Sequence, residues 1–98
     1  MRHAWNQASM KSSLLWSKDA LEDLEQLPNP LGVRITKKVI WFSQQQNPLT
    51  HAEPLTGPYQ GIYRFRVGDY RVLFQKDAQG QVSILKILRI KHRREVYR

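Results

Sequence analysis

Ile62-Tyr-Arg-Phe-Arg-Val-Gly-Asp-Tyr-Arg-Val-Leu-Phe74 is the stretch that decides the fold. Its side chains alternate with a period of two, the period of a strand with one buried face. Tyr63, Phe65 and Val67 form one large apolar set, and Tyr70, Val72 and Phe74 form the next. Gly68-Asp69 between them supplies a turn, so the stretch reads as a β-hairpin. If the aromatic set faces the core, then Arg64, Arg66 and Arg71 share the opposite, open face. Guanidiniums that close repel one another unless something anionic sits among them. Arginine's planar donor fork matches phosphate oxygens. The plainer alternative is a polar face with Asp69 or Glu95 as counter-ion.

Downstream, Asp77-Ala78-Gln79-Gly80 reads as a second turn, and Val82 to Ile90 as a third strand, apolar on both faces for part of its length. That pattern predicts a central strand, covered by helices on one side and by a partner or ligand on the other. Upstream, Ser13 to Trp16 reads as a strand and Ser17 as the N-cap of a helix carrying Ala20, Leu21, Leu24 and Leu27. Pro28 ends that helix. Asn29-Pro30 then reads as a cap and first turn, starting a second helix with Leu31, Ile35, Val39 and Phe42 as its stripe and Gln44–Gln46 as its polar end. Asn47-Pro48 stops it. Residues 47–61, with three prolines and two glycines, read as a surface loop. The expected class is α+β: an N-terminal strand and αα-hairpin packed on an antiparallel β-meander, in the order β-α-α-β-β-β, with a basic C-terminal segment. The first strand is expected at an edge or beside the last. Residues 1–13 are set aside as a disordered extension, native or an expression remnant, and 14–98 form one domain.

The net charge of +8 is unevenly placed. Residues 1–58 hold six Lys/Arg against five acids, whereas 59–98 hold ten against three. Such an excess favours a polyanion, nucleic acid before an acidic protein. The absence of cysteine excludes a disulfide framework and thiolate metal sites, and fits the cytoplasm. No apolar run approaches the length of a membrane span, and the first residues lack the apolar stretch of a secretory signal. His3, His51 and His92 have no ligand-like spacing, so no metal is expected, and no glycine-rich phosphate loop is present. The acids cluster on the first helix as a solvated face, which argues against a paired-carboxylate hydrolase. The second basic cluster is Lys91-His-Arg-Arg-Glu-Val-Tyr-Arg98. It holds His92 and Tyr97, ring side chains able to move protons or stack on a base. A tyrosine, with a pKa of about 10, needs neighbouring cations to serve as a base.

Trp16-Ser-Lys-Asp-Ala-Leu-Glu-Asp-Leu24, the hairpin 62–74 and Ile87 to Arg98 together resemble the RelE/ParE toxin superfamily, the last of them its RelE branch. The resemblance implies a ribosome-dependent endoribonuclease of a type II toxin–antitoxin system that cuts mRNA in the ribosomal A site. It implies attack of a ribose 2′-OH on the adjacent phosphate, without metal or cofactor. It also implies a RelB-like antitoxin, and contact with operator DNA only through the antitoxin complex. By the same resemblance Arg71 and Tyr97 are site residues, and Arg64 and Arg66 stand where RelE has lysines. Lys91 to Arg94 is shorter than in RelE, leaving Arg93 or His92 for the remaining basic role. Arginine is a poor base, so Arg64 and Arg66 are expected to clamp phosphate and Tyr97 or His92 to take the proton. Lys91, Arg94 and Arg89 are expected to bind RNA. Two alternatives share the fold: a ParE-like inhibitor of gyrase, and an inactive homologue that only docks its antitoxin.

Overall fold

The computed structural model describes residues 12–79 and 82–95. Strand β1 (Ser12–Trp16) leads into helices α1 (Lys18–Glu25) and α2 (Asn29–Ser43), followed by the two-residue strand β2 (Glu53–Pro54) and then β3 (Tyr63–Val67), β4 (Tyr70–Gln79) and β5 (Val82–His92). The sheet order is β1-β5-β4-β3-β2, with β1 parallel to β5 and every other pairing antiparallel. The expected α+β class, the meander and the edge position of β1 are thus all present. β1 begins at Ser12, inside the segment read as an extension, and the rest of that segment lies outside the described residues.

Ser17 works as expected and does more. Its hydroxyl accepts from Ala20 N at 3.0 Å and donates to Leu88 O at 2.9 Å, tying the start of α1 to β5. Ala20, Leu24 and Leu27 pack on the core, but Leu21 is 48% exposed and does not belong to the stripe. A helix lying on a sheet buries residues about one turn apart, here Ala20 and Leu24, and Leu21 points about 100° away from Ala20. Asn29 is not a cap: Pro28 holds that position, with Leu31 N and Gly32 N bonded to its carbonyl at 3.0 Å each. Ile35, Val39 and Phe42 of α2 are buried, and the helix ends at Ser43, before the glutamines. Phe42 stacks on Phe65 at 4.1 Å, and Phe65 on Phe74 at 4.1 Å, so one aromatic column joins α2 to the hairpin.

Residues 47–61 are not only surface loop. β2 adds an edge strand through Glu53↔Arg64 and Pro54↔Tyr63, and Leu55 is buried against Leu73 on the sheet's outer face, beside Tyr59 and Ile62. The expected turn at Asp77–Gly80 also shifts, because Asp77 to Gln79 continue β4. On β5, Leu73 opposes Arg89 but Phe74 opposes Ile87, leaving Leu88 as the extra residue of a β-bulge. The bulge explains the run of apolar residues on both faces. Strict alternation from Leu85 and Ile87 would drive Arg89 into the core; the extra residue places Ile90 there instead.

β1 ends opposite the bulge, at Trp16↔Ile87, and Asp23 of α1 covers the β5 edge beyond it. Its carboxylate accepts from Arg89 Nε (2.8 Å), Arg89 Nη2 (3.0 Å) and Ile90 N (2.8 Å). Burial alone would raise the Asp23 pKa. The Arg89 and Ile90 hydrogen bonds and the charges of Arg89 and Lys91 outweigh it and hold the group below its ordinary value. Asp23→Asn is expected to cost about 2 kcal/mol in urea unfolding near neutral pH. A depressed carboxyl stabilises above its unfolded pKa and loses that contribution as pH falls through the folded value. The gap between the two proteins should therefore close below about pH 4. A gap that is unchanged by acid would mean the charge is not what holds this edge.

Candidate functional site

The β3–β4 register places Arg66 directly opposite Arg71, with Arg64 two residues along the same face. The turn that makes this possible contains Gly68 at φ 59°, a backbone conformation that suits glycine. After β5 the chain turns back as a 3-10 turn at Arg93–Glu95. Arg93 N donates to Asp69 O at 2.7 Å, and Arg93 Nε stands 3.7 Å from Asp69 Oδ1. The hairpin turn thus anchors the segment that follows the sheet. The result is an open cavity of about 380 Å³ lined by Arg64, Arg66, Arg71, Arg93 and Arg94.

Arg71 is fixed at its centre, with Nη1 donating to Gly68 O and Tyr70 O at 2.9 Å each. Burial first, and then the charges of Arg66, Arg64 and Arg93, push its pKa below the ordinary arginine value. Four guanidiniums acting on one another store repulsion that an anion relieves. Asp69 moderates it at Arg93, and a second acid does so at the hairpin. Glu53 on β2 accepts from Arg64 Nε at 2.9 Å, and Arg66 Nε lies 3.4 Å from the same oxygen. The Arg64 hydrogen bond is the main reason the Glu53 carboxyl sits below its usual range. Nothing in the sequence marked Glu53, a lone acid in a proline-rich stretch. Glu53→Gln keeps an acceptor for both arginines and removes the charge. It should tighten binding of a short RNA by about two- to fivefold at low salt, an advantage that fades as salt rises. Weaker binding by fluorescence anisotropy would mean that Glu53 serves to aim the arginines instead.

The other expected site residues divide. Arg93 and Arg94 join Arg64, Arg66 and Arg71 in the cavity. Lys91 pairs with Arg71 across β4 and β5 but does not line the cavity. Arg89 is engaged bidentately by Asp23, away from the cluster. His92 pairs with Tyr70, meets its ring edge-on at 5.3 Å, and so lies on the face opposite Arg71; its Nδ1 accepts from Arg94 N at 3.2 Å. Glu95 accepts from His92 N and pairs with no arginine of the cavity among the described contacts. Tyr97 lies outside the described residues. Among the described residues no three His, Cys, Asp or Glu side chains gather as a metal site requires, and no helix is long and apolar enough to cross a membrane.

A sheet of this topology with a basic hairpin face has known relatives. The family model described as "ParE toxin of type II toxin-antitoxin system, parDE" matches residues 14–97. The chain belongs to this toxin family. The toxin also resembles solved structures of the wider RelE/ParE superfamily. A chain of the RelBE2 toxin–antitoxin complex from Mycobacterium tuberculosis superposes with a TM-score of 0.75 at 25% identity, covering 85% of the toxin and 92% of that chain. A chain of the RelB–RelE complex from Methanococcus jannaschii is 28% identical, with a TM-score of 0.55 over 85% of the toxin and 94% of that chain. The chromosomal ParDE system from P. aeruginosa shares the fold at 17% identity, with a TM-score of 0.61 over 86% and 97%. No curated protein matches the toxin's sequence.

Proposed function

We propose that the toxin is a ribosome-dependent endoribonuclease that cleaves mRNA in the ribosomal A site and is neutralised by a cognate, RelB-like antitoxin. The observation that carries this reading is the cavity lined by five arginines, the partly buried Arg71 among them. In-line attack of a 2′-oxygen on the neighbouring phosphorus gathers negative charge on the equatorial oxygens. Pre-positioned guanidiniums stabilise that charge more than they stabilise the ground state. The 2′-O–P bond forms, the P–O5′ bond breaks, and the products are a cyclic phosphate and a free 5′-OH.

Arginine does not accept the 2′-OH proton, and His92 pairs with Tyr70 on the face opposite Arg71, which favours Tyr97 over His92 for the base role. The arginines would favour its phenolate. The departing 5′-oxygen takes a proton from solvent. Arg93 and Arg94 join Arg64 and Arg66 in holding the phosphates. The antitoxin would offset the surplus positive charge of the late half, and the toxin would act in the cytoplasm, where ribosomes are.

The match to the ParE family favours a second reading, inhibition of gyrase by binding. A pure binder has no need of the arginine cavity together with Tyr97. The test is primer extension on programmed ribosomes with antitoxin-free toxin. Cuts inside the A-site codon that require the ribosome support the ribonuclease. No cuts by a folded toxin, with loss of supercoiling in a gyrase assay, would establish the second reading; failure in both would leave a protein that only docks its antitoxin.

A further inference from the structure

Beside the arginine cavity lies a larger groove of about 590 Å³, where α2 faces the β3–β4 turn. Its cations are Arg34, Lys37 and Lys38 of α2 and Arg66 of β3, and among the described residues no acidic side chain lines it. Arg34, Lys37 and Lys38 are spaced i, i+3 and i+4, so one helix face presents all three. Arg34 reaches the turn closely: a Cβ on Gly68 would stand 3.3 Å from its Nη2. Trp41, three residues after Lys38 on α2, lines the same groove and is 43% exposed although it is a large aromatic ring. Phe42 and His51 brace the indole edge-on at 5.4 Å each, and Lys38 Nζ lies 4.5 Å from its centroid. Arg66 lines both this groove and the arginine cavity, so the two are continuous.

We infer that the groove carries the single-stranded RNA onward from the arginine cavity, with Arg34, Lys37 and Lys38 along its phosphates and a nucleobase stacked on Trp41. An exposed ring beside cations that no acid of the groove opposes suits a single strand, since every base has a π-face and every linkage a charge. An apolar peptide face fits it less well, because cations interrupt the apolar lining. The inference rests on the ribonuclease reading only in taking the arginine cavity as the place of the scissile phosphate.

The experiment uses full-length, antitoxin-free toxin and fluorescein-labelled single-stranded RNA, 2′-O-methylated throughout so that it cannot be cleaved. One probe is a trinucleotide, long enough for the arginine cavity. The other has about ten nucleotides, the scale that a stacking groove engages. Trp41→Ala should weaken the longer probe about tenfold, and Trp41→Phe should restore most of the loss. Lys37→Ala with Lys38→Ala should lower the slope of log K against log salt by about 1.4. The trinucleotide should bind all variants like the wild type. Variants that bind the longer RNA like the wild type overturn the inference, as do variants that lose both probes equally. Unchanged RNA binding with loss of a glutamate-rich amphipathic peptide would assign the groove to a protein partner and also overturn it. Ribosome-dependent cleavage by the wild type, measured in parallel, separates the two claims: no cleavage with the Trp41 dependence intact removes the ribonuclease and leaves the RNA groove standing.

Discussion

Arg71→Ala is expected to lower ribosome-dependent cleavage by about 10²–10³-fold, with little change in thermal unfolding. On the proposed reading the side chain sits where transition-state charge would gather, and burial, followed by the charges of three neighbouring guanidiniums, depresses its pKa. Its two hydrogen bonds go to carbonyls of the adjacent turn, Gly68 and Tyr70. Those carbonyls are at the surface end of the hairpin, where water replaces a lost donor at small cost. Removing the cation also relieves Arg64, Arg66 and Arg93 of its repulsion. Loss of activity should therefore come without loss of fold, which single-turnover cleavage and calorimetry on the same preparation would test. Arg71→Lys should recover only part, because an ammonium offers a point charge and no fork. Cleavage by Arg71→Ala within about tenfold of the wild type would move the centre of the chemistry elsewhere.

Phe65→Ala is expected to cost about 3–5 kcal/mol, a large share of the stability a domain of this size commands. Phe65 is fully buried and is the middle ring of the column Phe42–Phe65–Phe74, with both stacking distances at 4.1 Å. Its loss removes one ring and strands two. The cavity could collapse only by pulling α2 toward the sheet, and α2 is already seated by Ile35 and Val39. A drop in the melting midpoint of about 15–30 °C follows from that cost. The size of the drop is the check: a fall of only a few degrees would mean that the core repacks freely. Because the same strand carries Arg64 and Arg66, whatever fold survives should also bind RNA poorly.

Much of this was legible because one hairpin alternates cleanly. Phe65 inward and Arg64, Arg66 and Arg71 outward follow from the period of two alone, and the register Arg66↔Arg71 agrees. β2 was not legible, since two residues, one of them proline, give no period to read. With β2 went Glu53, the residue that tempers Arg64 and Arg66. The bulge at Leu88 was the other gap: one unpaired residue inverts every face beyond it. It sends Arg89 to Asp23 and His92 to the side of Tyr70, and no count along the strand reveals either. The cations Arg34, Lys37 and Lys38 were visible at helical spacing, but the acids of the first helix made the early half look neutral.

The pairing of β1 with β5 has a consequence in time. Ser12 lies beside Ser83, and Ser17 bonds to Leu88 across a separation of 71 residues. The sheet therefore cannot close during synthesis until residues 82–92 have cleared the ribosome exit tunnel, and such long-range closure is slow. Arg93 and Arg94, which complete the cavity, emerge later still. A nascent chain carries no assembled cavity before then. On the proposed reading, a cognate antitoxin would have that interval in which to meet a partner that is still harmless.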